Sequence, residues 1–123
     1  MENNEVKRAW NDVDNQRALW LLGEHIHRWA ENKGFWPECK TDRNFGEMIA
    51  LIHSELSEAL EGHRKGYQPD EHCPDFSNVT IELADTIIRI LDLAAGLGLC
   101  LPEAIAAKMN YNETRPHKHG KQY

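Results

Sequence analysis

One residue restricts the architecture of this chain more than any other: Glu55, an acid set inside an apolar helical stripe. With Glu55 at the origin of a wheel of about 100° per residue, Met48 falls at about 20°, Ala59 at about 40°, Ile52 at about 60° and Leu51 at about 320°. An ionised carboxylate on a core-facing stripe is strongly disfavoured unless it is paired or binds a cation. The helix carrying Glu55 must therefore pack against something that supplies a partner. A sheet is not the solution, because no run of alternating β-branched residues bounded by turns occurs anywhere in the sequence.

The rest of the chain reads as helices. The first is expected over Val13–Glu31, where Leu19, Leu22, Ile26, Trp29 and Ala30 recur at helical spacing, with Asp12 as N-cap and Gly34 past its end. A loop, Gly34–Arg43, follows. The second helix starts after Asn44, whose spacing to Glu47 resembles a capping box, and is expected to stop at Gly62. A loop rich in Gly and Pro reaches Phe76. The third helix runs from a Ser77 N-cap to Ala95, before Gly96 and Gly98. The fourth starts at Pro102, a favoured first-turn residue, and ends near Glu113. Four helices with short connections imply an all-α, four-helix-bundle type of fold. At 123 residues the chain is one domain, and it can bury roughly two-thirds of its unfolded surface without a disulfide or metal.

The acids form two pairs. Glu55 and Glu58 lie three residues apart on helix two, and Glu82 and Asp85 repeat that spacing on helix three, so each pair shares a helical face. Between the pairs lie the 23 residues Ala59–Ile81, enough for a loop that folds the helices back on each other. Four carboxylates then converge. On helix three Glu82, Asp85, Arg89 and Asp92 form a narrow polar strip beside Leu83, Ile87, Ile88, Ile90 and Leu91. Alone, such a strip suits a solvated face, and the competing reading of the four acids is a surface set with one salt bridge to Arg89. The buried bearing of Glu55 favours a metal site instead. Carboxylate oxygens suit a hard cation, Mg²⁺ or Mn²⁺ in its place. Such sites serve phosphate chemistry, where the ion neutralises substrate oxygens and activates water.

Charge and composition narrow the classes further. The chain has 14 Lys+Arg against 20 Asp+Glu, a net −6, which disfavours non-specific nucleic-acid binding. It leaves nucleotides open, since a divalent ion bridges acids to phosphates. No apolar run approaches the ~20 residues of a membrane span, and the first ten residues lack the apolar core of a signal peptide, so the expectation is a cytoplasmic protein that does not engage membranes. Cys39, Cys73 and Cys100 are widely spaced and read as free thiols, with His72, Cys73 and Cys39 as loop residues rather than zinc ligands. The tail, residues 114–123, carries Arg115, Lys118 and Lys121 and no acid. It reads either as a solvated terminus or as a cationic partner for phosphate oxygens.

Glu-x-x-Glu on one helix followed by Glu-x-x-Asp on the next resembles the all-α nucleoside triphosphate pyrophosphohydrolases of the MazG type. Lys108-Met-Asn-Tyr-Asn112, then Arg115, Gly120-Lys121 and Tyr123, is similar to the family's C-terminal nucleotide-contacting segment. His27 and Trp36, nine residues apart, look like the base-contacting pair of its dCTP-hydrolysing branch. The likeness spans about residues 27–123. It implies dimers that complete a four-helix bundle, often paired into tetramers, and Mg²⁺ held by Glu55, Glu58, Glu82 and Asp85, with Glu55 or Glu58 orienting the attacking water. The implied substrate is a (d)NTP, dCTP above all, cleaved to the monophosphate and pyrophosphate, the role being clearance of the nucleotide pool. His27, Trp36, Lys108, Asn112, Arg115, Lys121 and Tyr123 are the implied substrate contacts. Ser54 stands where many relatives have a further acid, and Arg89 where some have an aromatic. On pattern alone His27 reads as a structural histidine and Trp36 as a plug of the bundle. Two other functions compete: hydrolysis of a related substrate such as phosphoribosyl-ATP, and a non-catalytic helical interaction module.

Overall fold

The computed structural model describes residues 7–122, and among these every regular element is helical. The four α-helices are α1 (Val13–Asn32), α2 (Phe45–Arg64), α3 (Asn78–Gly96) and α4 (Leu101–Glu113). Short 3₁₀ turns at Ala9–Asn11, Lys40–Asp42 and His117–Gly120 punctuate the connections. Sequence chemistry sets the starts. The Asp12 side chain accepts from the Asp14 and Asn15 amides, Asn44 from Glu47, and Ser77 from Thr80, so three helices begin where a short polar side chain satisfies orphan N–H groups. Pro102 sits in the first turn of α4, one position later than the sequence suggests, because Leu101 is already helical.

One expected stop is wrong, for a physical reason. Gly62 does not end α2, which continues to Arg64. Gly62 is buried, and a Cβ there would lie 2.9 Å from Asn78 Oδ1. Its missing side chain lets the end of α2 approach the start of α3. The stop falls to Gly66, whose φ of +91° an L side chain adopts only with strain.

α3 is the central helix, packed against α1 on one side and α2 on the other, while α4 packs against α1 and the Ala9–Asn11 turn. α4 leaves α3 at 112°, so it closes one end rather than lying alongside. Among the described residues, no single helix is long and apolar enough to cross a membrane. The core is small. Ala30, Trp36, Met48 and Leu93 form its buried centre, with Ile49, Ile52 and Leu97 against it.

Gly96 makes the densest contact possible. A Cβ there would fall on the Trp36 ring, 2.5 Å from Cζ2, and 2.9 Å from His27 Cε1. By contrast, a Cβ at Gly23 meets Leu91 at ordinary van der Waals range, 3.6 Å from its carbonyl oxygen. Gly96→Ala is expected to lower stability by about 2 kcal/mol through overpacking, whereas Gly23→Ala leaves it unchanged or raises it. Thermal unfolding of both variants checks this, and equal melting temperatures contradict the packing described.

Candidate functional site

The antiparallel return of α3 along α2 brings acids from the two helices together. One oxygen each of Glu55, Glu82 and Asp85 lies within 4.8 Å of the others, and all three residues are half-buried. The inward bearing expected for Glu55 holds: its side chain is 15% exposed. Met48 and Ala59, its neighbours on the stripe, are buried. Glu58 is exposed and outside this tight trio, although its charge bears on Glu82. Ser54, in the place of a possible further acid, turns its hydroxyl back to donate to the Leu51 carbonyl.

Like charges this close resist joint ionisation. Partial burial, then a hydrogen bond and charge repulsion from Glu55, then repulsion from Asp85 and Glu58, push the Glu82 carboxyl up to about 7. Burial, followed by the Glu55 charge, raises Asp85 as well, while Arg89 acts the other way. Arg89 Nε donates to Glu55 Oε1 at 3.0 Å, so the salt bridge weighed from sequence is present. The donor set of three carboxylates fits a hard divalent cation, which would relieve the repulsion that raises Glu82.

Glu55 and Asp85 of the trio line a cleft of about 240 Å³, whose walls also include Arg89, Arg43, Ile26, Ile88, Trp29 and Phe35. Trp29 and Phe35 are about half exposed, with ring centroids 6.2 Å apart. The cleft thus brings together two carboxylates of the trio, two guanidinium groups and two half-exposed aromatic rings. Trp29 and Phe35 were not singled out as a wall by sequence reasoning; both are large aromatics close in the chain, at a helix end and in the following loop.

His27 and Trp36 do come together, with centroids 4.8 Å apart and edge to face. Both are buried, at 3% and 8% exposure. They share Asp92. His27 Nδ1–H donates to Asp92 Oδ1 at 2.9 Å, and Trp36 Nε1–H donates to both carboxylate oxygens, at 2.9 and 3.1 Å. Arg43 adds its charge at 3.5 Å from Asp92 Oδ2 and stacks on Trp36, its guanidinium carbon 4.5 Å from the ring centroid. His27 Nε2 lies 2.8 Å from Glu31 Oε1, but out of hydrogen-bonding alignment. Asp92 thus lines the cleft while its oxygens are already engaged from behind.

The tail residues lie elsewhere in the chain. Lys108 and Arg115 both approach the Tyr111 ring, at 4.9 and 5.6 Å. Asn112 Oδ1 is buried without a hydrogen-bond partner among the described residues. Lys121 is exposed beyond the His117–Gly120 turn, and Tyr123 lies outside the described residues. Among the described residues, no hydrogen bond or ion pair joins Lys108, Asn112, Arg115 or Lys121 to the acidic trio. Cys39, Cys73 and Cys100 are exposed free thiols. No protein-family model, curated protein or solved structure matches the chain.

The raised carboxyl of Glu82 has a sign that can be checked. A folded-state value of about 7 against the ordinary glutamate value of 4.5 means the folded chain holds this proton more tightly than the unfolded one. Metal-free stability then loses a contribution as pH rises from about 4.5 to about 7. Denaturant titrations across that window should show the wild type falling relative to Glu82→Gln, and a constant difference between the two contradicts the crowding. Saturating Mg²⁺ above pH 7 should restore the loss.

Proposed function

We propose that this chain is a Mg²⁺-dependent nucleoside triphosphate pyrophosphohydrolase with a MazG-like fold, acting on (d)NTPs and best on a deoxynucleotide such as dCTP. The observation that carries the reading is the trio Glu55, Glu82 and Asp85, drawn together from α2 and α3, with Glu55 and Asp85 in a cleft that Trp29 and Phe35 also line. A nucleoside triphosphate carries anionic phosphates and a flat, stackable base, and the cleft holds groups that suit both.

In this reading Glu55, Glu82 and Asp85 hold the cation, with Glu58 at the rim. A bound ion would neutralise phosphate oxygens and make water a stronger nucleophile. Glu55 or Glu58 orients the water for in-line attack, and the chain cleaves between the α- and β-phosphates to release pyrophosphate. Trp29 and Phe35 offer faces to the base. His27 and Trp36, held by Asp92, act from the side of the cleft by fixing the α1–loop wall; base contact by either requires the loop to open.

A homo-oligomer, dimer or tetramer, completes the reading. Leu56 and Leu60 on α2 and Leu83 and Ile87 on α3 are all at least 45% exposed and share one side of the helix pair. Apolar surface of that kind suits a second copy, which is also how Lys108, Asn112, Arg115 and Lys121 would reach a cleft they do not line within their own chain, with Tyr123 following them in sequence. The same exposed face supports a second reading, a non-catalytic interaction module.

A panel of nucleoside triphosphates with Mg²⁺, assayed for pyrophosphate and extended to phosphoribosyl-ATP, separates these readings. Release from a deoxynucleotide is expected, falling at least ~100-fold in Glu55→Ala, since that change removes a charge acting at the reacting phosphates. Release that survives Glu55→Ala, or none from any compound, contradicts the proposal. Ile87→Glu should shift the native mass measured by light scattering towards the monomer, and an unchanged mass removes this face as the interface.

A further inference from the structure

We infer that Arg89 is an exchangeable counter-ion: it holds Glu55 while the acidic trio is empty, yields that carboxylate to an arriving divalent cation, and then turns to a phosphate oxygen of the nucleotide. The inference rests on the pyrophosphohydrolase reading and assigns a role within that site.

The geometry supplies each part. Arg89 follows Asp85 by four residues on α3, one helical turn on, and projects into the same cleft. Its Nε holds Glu55 Oε1 at 3.0 Å, so it occupies an oxygen of one of the three acids of the site. It has no other ion pair or hydrogen bond among the described residues, and its side chain is 38% exposed, which leaves the guanidinium free to swing on its flexible stem. Arg43, the second guanidinium in the cleft, differs in each respect. It is only 16% exposed, stacked on Trp36 and placed against Asp92, so it is fixed. One arginine of the cleft is therefore structural and the other displaceable. A divalent ion at Glu55 removes the reason for Arg89 to remain, and a guanidinium released beside a triphosphate matches phosphate oxygens in a forked geometry.

The consequence is a pair of effects with opposite sign. Loss of Arg89 should help the metal and hurt the nucleotide. Mn²⁺ binding, read from the free-ion electron paramagnetic resonance signal, should tighten about 5-fold in Arg89→Gln, the scale of a half-exposed ion pair. Arg43→Gln, which removes the same charge from the same cleft without touching Glu55, should change it less than ~2-fold on that scale. Binding of a non-hydrolysable dNTP analogue with saturating Mg²⁺, by calorimetry, should weaken in Arg89→Gln. In the metal-free wild type, the Arg89 Nε–H resonance, assigned by its absence in Arg89→Lys, should move on Mg²⁺ titration and saturate with the metal. Circular dichroism confirms that each variant is folded. Mn²⁺ binding that is unchanged in Arg89→Gln, or tightened equally by Arg43→Gln, overturns the inference and leaves the metal site standing, as does analogue binding that fails to weaken. A wild type that binds no Mn²⁺ overturns both.

Discussion

The carboxylate of Asp92 organises the wall on which the cleft depends. It sits on α3 and is 8% exposed, and it is reached from three other places: His27 on α1, Trp36 in the following loop, and Arg43 just before α2. A buried charge is costly when alone, and here it is met by two N–H donors and a guanidinium. The α1–α2 connection, which has only a 3₁₀ turn of its own regular structure, is thereby pinned to the central helix. That fixes the angle at which α2 departs, and so where Glu55 arrives opposite Glu82 and Asp85. Gly96 makes the arrangement possible by leaving room beside α3 for the Trp36 ring. Removing the Asp92 charge with Asn would weaken a shared acceptor at three points.

Two acidic centres on one helix behave differently because of what surrounds them. Asp92 is satisfied by donors, and its oxygens are committed. Glu82 and Asp85, two to three turns earlier on α3, face other acids, and the Arg89 guanidinium is spent on Glu55. The first is an interior strut; the second is a cluster of like charges whose mutual repulsion a cation would relieve.

Much of the helical frame was legible in the sequence because it is written locally. Asp12, Asn44 and Ser77 cap their helices through side chains that bond amides two or three residues on. The inward bearing of Glu55 follows from the wheel, because Met48 and Ala59 sit at its flanks by periodicity alone. What was not legible depends on contacts distant in the chain. Gly62 reads as a helix stop from its neighbours, yet it serves a close approach to Asn78. Asp92 reads as one more acid of a polar strip, since its partners His27 and Trp36 are 65 and 56 residues away. Glu58 shares a helical face with Glu55, but the crossing of α2 over α3 leaves it exposed outside the trio. The aromatic wall of Trp29 and Phe35 had a weak signal in composition and none in spacing.

The central claim is that α2 and α3 hold a cation between Glu55, Glu82 and Asp85. Crystals grown with Mn²⁺ and measured at its absorption edge test it most directly. The account predicts an anomalous peak at roughly 2 Å from an oxygen of each of those three carboxylates, with Glu55 no longer bonded to Arg89. A peak at another position, or an empty trio with the Glu55–Arg89 pair intact at saturating Mn²⁺, would contradict it.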